Sequence, residues 1–146
     1  MCGATFAPNV CISCINSDGR GAQTEGDVIQ EMLGCGDSDA LRLEQDVNKI
    51  LDDVQTDPKT RTTLFSINPL IQAIISAGGT VQVQAAQRRF NDARSTITNV
   101  IFPKLGACNS AFSAAGVSIP PPVFSGLFSV EADYKLSDQL IASVRD

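Results

Sequence analysis

The stretch "LEQDVNKILDDV", Leu43 to Val54, decides the fold class of this 146-residue chain. Leu43, Val47, Ile50, Leu51 and Val54 fall at i, i+4, i+7, i+8 and i+11, while Glu44, Asp46, Lys49, Asp52 and Asp53 take the other side. That is a single apolar stripe at helical period, so the segment reads as an amphipathic helix. Asp37 or Ser38 is its expected N-cap, and Thr56-Asp57-Pro58 its stop. A calcium loop built on Asp37-x-Asp39 fails because Leu41 and Leu43 fill the later ligand positions. Asp52 and Asp53 are adjacent, hence about 100° apart on a helix, and form a solvated face rather than an acid–base pair.

Working outward, the other segments repeat this logic. "TEGDVIQEML" puts Val28, Ile29, Met32 and Leu33 on one face, with Gly34 expected to close the helix. "TTLFSI" (Thr62 to Ile67) could be helical or extended. Asn68-Pro69 reads as an N-cap followed by Pro at the first helical position, and Gly78-Gly79 as the stop. Between them "LIQAIISA" is apolar nearly all round, as for a helix in the middle of a bundle. Thr80 is the expected cap of a long helix, because Val83, Ala86, Phe90, Ala93, Ile97 and Ile101 outlast the brief alternation of "VQVQ". The stripe continues through Leu105, Cys108 and Phe112, so Pro103 is expected to kink this helix and Gly116 to end it. "SIPPPVF" is a stiff extended connector. A closing helix from about Pro122 or Val123 carries Phe124, Leu127, Phe128, Tyr134, Leu136, Leu140, Ile141 and Val144, with Asp133, Lys135, Asp138 and Arg145 on its wet side. The expected architecture is all-α: a single domain of five or six helices over 24–146, behind an irregular Cys-rich head over 1–23.

Composition limits the chemistry. The net charge of −5 argues against nucleic acid, and the one compact basic group, Arg88, Arg89 and Arg94, reads as the wet face of a helix. There is no His, which removes Ser-His-Asp and Cys-His machinery and His-ligated metal sites. The expectation is a non-enzymatic protein without cofactor or metal. No transmembrane segment is expected, since no run reaches the roughly 20 continuous apolar residues of a span. "MCGATFAPNVC" shows no signal-peptide pattern and reads as a mature N-terminus behind an initiator Met.

Of the five cysteines, Cys2, Cys11, Cys14 and Cys35 lie in or near the head and Cys108 far away. A loop-rich head buries little and calls for covalent staples, which form in oxidising compartments, so most of these are expected as disulfides in a secreted protein. Cys108 is the expected tie between head and body. Five is odd, so one thiol is left over, free or linking two chains into a homo-oligomer. Cys11-Ile-Ser-Cys14 lacks the strand lead-in of a thioredoxin-like pair, and a tetrathiolate metal site would want a second close pair.

Two stretches of 26 residues, Thr62 to Gln87 and Leu105 to Val130, carry no charge. The first is explained by a core helix. The second includes the Pro-rich connector, and connectors run over surfaces, so some of its apolar side chains are expected in solvent. The stretch "ITNVIFPKLGACNSAFSAAGVS…VFSGLFSVEADYKLSDQLIASV" resembles the end of the fungal hydrophobic-surface-binding and cell-wall galactomannoprotein family, through Leu105…Phe112…Gly116, Val123…Leu127 and Leu136…Leu140-Ile141. The resemblance covers about the last third of the chain and implies a secreted helical bundle that holds fatty acids or coats apolar surfaces. The expected partner is therefore an apolar small molecule or hydrophobic surface. Its expected wall is Ile71, Ile75, Phe90, Ile97, Ile101, Phe112, Phe124, Leu127 and Phe128, with Gln72, Gln84, Asn99 or Tyr134 as polar anchors. The alternatives are a self-associating structural subunit using the same uncharged faces, and a redox or metal protein using Cys11 and Cys14.

Overall fold

In a computed structural model of the chain, residues 2–17 and 24–144 are described; Arg145 of the expected wet face and the 18–23 part of the head lie outside them. The described residues are all-α: a 3-10 turn Cys2–Ala4, then α1 (Pro8–Ser17), α2 (Glu25–Asp52), α3 (Pro58–Ala86), α4 (Phe90–Thr96), α5 (Phe102–Ala115) and α6 (Pro121–Val144). A π-helical turn, Ile97–Ile101, joins α4 to α5 without leaving helical backbone, so the helices count as five rods. The head is therefore helical where it was expected to be irregular, and it is stapled by Cys2–Cys11 and Cys14–Cys35.

Local chemistry explains the ends. Thr24 and Asp27 make a reciprocal capping box at the start of α2, both bonds 3.1 Å. Asp57 caps α3 with Pro58 behind it, and Gly116, at φ +65°, closes α5 in the left-handed conformation. α2 ends at Asp52, so Val54 of the opening stripe is 87% exposed and belongs to the turn.

Three expected boundaries do not exist. Gly34 and the Asp37-Ser38 cap lie inside the uninterrupted α2, and Asn68-Pro69 and Gly78-Gly79 lie inside the uninterrupted α3. The side chain expected to cap is engaged elsewhere: Asp37 accepts from Tyr134 Oη and from Gln82 Nε2, each at 2.5 Å. The Thr80 hydroxyl donates back to the Ser76 carbonyl as a mid-helix residue. α3 ends instead at Arg88, a non-glycine at φ 58°, with the Arg89 N–H reaching back to the Gln84 carbonyl (2.8 Å). Pro103 does not end its helix. The π turn ahead of it, with the Phe102 N–H bonded to the Ile97 carbonyl, loosens the ladder where proline would crowd it.

The rods run antiparallel in sequence order. Gln30 bonds to Gln82, Asp37 meets Gln82, and Arg61 donates to Leu51, which fixes α3 beside α2. Leu43 sits against Gly126, and Asp37 against Tyr134, which fixes α6 along the other flank of α2. α3 also packs on α5, and Arg94 of α4 holds Asp138 of α6 through two charge-assisted bonds, the shorter 2.8 Å. One core fills the middle, from Ile29, Met32 and Leu33 through Ile67, Ile71 and Ile74 to Ile97, Phe112, Val130 and Ile141. Staples across about ten to twenty residues contribute roughly 2–3 kcal/mol each by restricting the unfolded chain.

Tyr134 locks the middle of the bundle. A Cβ on Gly36 would lie 2.9 Å from its ring, and one on Gly78 would lie 2.3 Å from its hydroxyl and 2.2 Å from Asp37 Oδ1. Neither glycine turns the chain; both let α6 approach backbone. Burial raises the Asp37 carboxyl despite bonds from Tyr134 and Gln82 that favour its charged form, and burial pushes the Tyr134 hydroxyl far above its usual range.

α3 is long and apolar enough, by length and composition alone, to cross a bilayer, with mean hydropathy 1.4 over its best window. No run of continuous apolar residues produces this. Its inner face, Leu64 through Ala85, is spent on the core, and the rest is largely Thr, Ser and Gln.

Candidate functional site

The buried face of α6 contains Val123, Leu127, Val130, Tyr134, Ser137 and Ile141. The opposite stripe, one turn at a time, is Phe124, Phe128, Glu131 and Lys135, at i, i+4, i+7 and i+11. Phe124 is 57% exposed and Phe128 69% exposed, and no charge lies on α6 before Glu131.

Farther along the stripe, α5 and α6 flank a groove of about 330 Å³ lined by Phe102, Leu105, Gly106, Glu131 and Lys135. Its floor is apolar and its α6 rim carries one charge of each sign. The stapled head docks beside it: the Phe6 N–H donates to Gln139 Oε1 (3.0 Å), and the Lys135 ammonium lies 5.3 Å from the centre of the half-exposed Phe6 ring. Phe6, Lys135, the groove and the Phe128–Phe124 pair thus follow one another along the outside of α6.

α3 contacts α5, and α5 contacts α6, so the two uncharged stretches lie on neighbouring rods. Their exposed positions hold Thr62, Ser66, Gln72, Ser76 and Thr80 on α3 and Asn109, Ser110 and Ser113 on α5. Neutral hydroxyl and amide groups keep this side wet without charge, and Phe65, Val83, Phe124 and Phe128 interrupt it.

The nine expected wall residues divide in three ways. Ile71, Ile97, Ile101, Phe112 and Leu127 are sealed in the core. Ile75 and Phe90 are half-buried against it, and Phe124 and Phe128 point into solvent. None of the nine lines the groove. Of the expected anchors, Tyr134 is spent on Asp37, Gln84 accepts from Thr96 and Asn99 donates to Ser95. The groove residues Phe102, Gly106 and Glu131, and Phe6 of the head, were missed. The α6 pair was foreseeable from register, since Glu131 and Lys135 continue the stripe of the two phenylalanines.

The cysteines correct two expectations. Cys108 does not tie head to body: it is the free thiol, buried in the core between Leu105 and Phe112, and burial pushes its pKa up to about 11. An interchain bridge through it would first require the core to open. Cys11 and Cys14 are bonded to Cys2 and Cys35, not to each other, so the folded chain holds no redox pair at Cys11-x-x-Cys14 and no four-thiolate set. The basic trio is also engaged: Arg88 lies over the Phe90 ring at 5.1 Å, Arg89 pairs with Asp92, and Arg94 with Asp138.

No protein-family profile matches this chain, and no curated protein matches it by sequence.

Proposed function

We propose that this is a secreted, non-enzymatic protein that adheres to apolar matter, an acyl chain or a hydrophobic surface, through the outer side of α5 and α6. The observation that carries the reading is the exposure of Phe124 and Phe128, one turn apart, within 26 residues that carry no charge. Exposed rings in a neutral field attract apolar surface without a charge to desolvate. The α5–α6 groove offers an acyl chain a place to lie, whereas the sealed residues of the core offer none. Two disulfides are compatible with an extracellular setting. The resemblance of the last third to fungal hydrophobic-surface-binding proteins points the same way.

Covering half of what remains exposed on both rings removes roughly 120 Å² from water, about 3 kcal/mol, which is about a hundredfold in affinity. The test is adsorption to alkyl-coated beads together with displacement of a fluorescent fatty acid, comparing the native protein with Phe124→Gln/Phe128→Gln. The native protein should bind in at least one assay, and the double variant should bind at least tenfold more weakly. Equal binding by both proteins, or none by the folded native protein, overturns the reading. If sedimentation instead shows the native protein self-associating and the variant monomeric, the same rings serve a second copy of the chain.

A further inference from the structure

Beneath the outer face of α6, the seam between α2 and α6 holds a second carboxyl pair besides the Asp37–Tyr134 bond. Asp133 of α6 is only 3% exposed, and its Oδ2 receives no hydrogen bond. The Asp133 carboxyl is within hydrogen-bonding reach of the Asp39 carboxylate on α2. Two ionised carboxylates cannot bond to one another, because neither has a proton to give. A buried, unpartnered acceptor beside a carboxylate is satisfied once it becomes a donor.

We propose that Asp39 and Asp133 share one proton across the α2–α6 seam, so that opening the seam releases that proton and becomes easier as pH rises. The surroundings favour this arrangement. Asp39 is the partly exposed member, with Arg42 one turn on at 4.0 Å, so the charge of the pair sits at the seam's edge and the proton inside. Asp37, on the same face of α2, is committed to Tyr134 and Gln82. From α4, Arg94 is committed to Asp138; α1 carries no charged residue, and Lys104 is the only one on α5. Asp39 is thus the one charge acting strongly on Asp133, and it repels a second negative charge there.

Burial first, then the hydrogen bond and the charge of Asp39, push the Asp133 carboxyl up to about 9. In an opened or unfolded chain it titrates near 4. Between those values the closed seam binds one more proton than the open one. The stabilisation is full in acid and is lost as pH rises through the folded value. One proton per opening means about a tenfold rise in the opening constant per pH unit, levelling off above the folded pKa.

Hydrogen exchange of α6 amides around Asp133, corrected for the intrinsic rate, measures that opening constant. The native protein should show the tenfold-per-unit rise through neutrality, and Asp133→Asn, whose amide still donates to Asp39, should lack one proton's worth of that slope. Infrared spectra of the native protein at neutral pH should contain a protonated carboxyl band. A pH-independent opening constant, an identical slope in Asp133→Asn, or the absence of that band from the native protein would each overturn the proposal. The band needs no variant, so it decides the matter even if Asp133→Asn fails to fold.

Discussion

α6 carries three aromatic residues and treats them in opposite ways. Phe124 and Phe128, in its first half, stand in water, while Tyr134, in its second half, is sealed against two backbones and bonded to Asp37. Charge runs against intuition as well. The half with bare rings has no charged residue, whereas the half with the buried ring has Glu131, Asp133, Lys135 and Asp138. Sorting residues into apolar-inside and charged-outside would place both halves wrongly. The first half leaves apolar area over for a partner; the second uses polar groups to fix how α2, α3 and α6 meet.

The largest effect should come from emptying the sealed half. Tyr134→Ala removes a buried ring and leaves the Asp37 carboxylate without one of its two donors, and a loss of about 3–5 kcal/mol is expected in urea unfolding. A loss below about 1 kcal/mol would mean that α6 is not locked there.

A smaller and more discriminating effect is expected from two neighbouring glycines. Gly78→Ala places a methyl where Asp37 and Tyr134 already sit, and should cost about 1–3 kcal/mol despite the better helix propensity of alanine. Gly79→Ala meets no atom within 4 Å and should stabilise by about 0.5–1 kcal/mol. The difference in sign between adjacent positions, read from paired thermal melts, tests the close approach itself. Equal effects would break the comparison between the halves.

How much of this was legible in the sequence depends on the range of the signal. Period was reliable: the Leu43–Leu51 stripe, the Ala93–Phe112 stripe across Pro103 and the end at Gly116 all correspond to what the rods do. Punctuation was not. Asp57-Pro58 and Asn68-Pro69 are nearly the same dipeptide, yet the first begins α3 and the second lies inside it. What separates them is tertiary, since α3 keeps packing on α2 past Asn68 and the helix continues despite the missing N–H. Gly34, Gly36, Gly78 and Gly79 likewise look like stops, and the reason that two of them stay helical, a tyrosine about a hundred residues away or less, is invisible locally. The same limit governed the candidate site. Exposed rings near the connector followed from the charge-free stretch, but the groove needed α5 and α6 side by side, and Phe6 needed the head to dock.

The smallest effect belongs to the bare half. Phe124→Gln and Phe128→Gln remove two large apolar groups, yet neither ring is part of the buried core, and Gln is a good helix former. The backbone bond that starts α6, from the Phe124 N–H to the Pro120 carbonyl (2.9 Å), does not depend on the side chain. Stability should therefore change by no more than about 0.5 kcal/mol, as for ordinary surface positions. Urea unfolding of the double variant measures it, on the same material used for alkyl-surface binding. Unchanged stability with weakened binding makes the two rings surplus to the fold and available to a partner. A loss above about 2 kcal/mol would make them structural, and the contrast between the two halves of α6 would disappear.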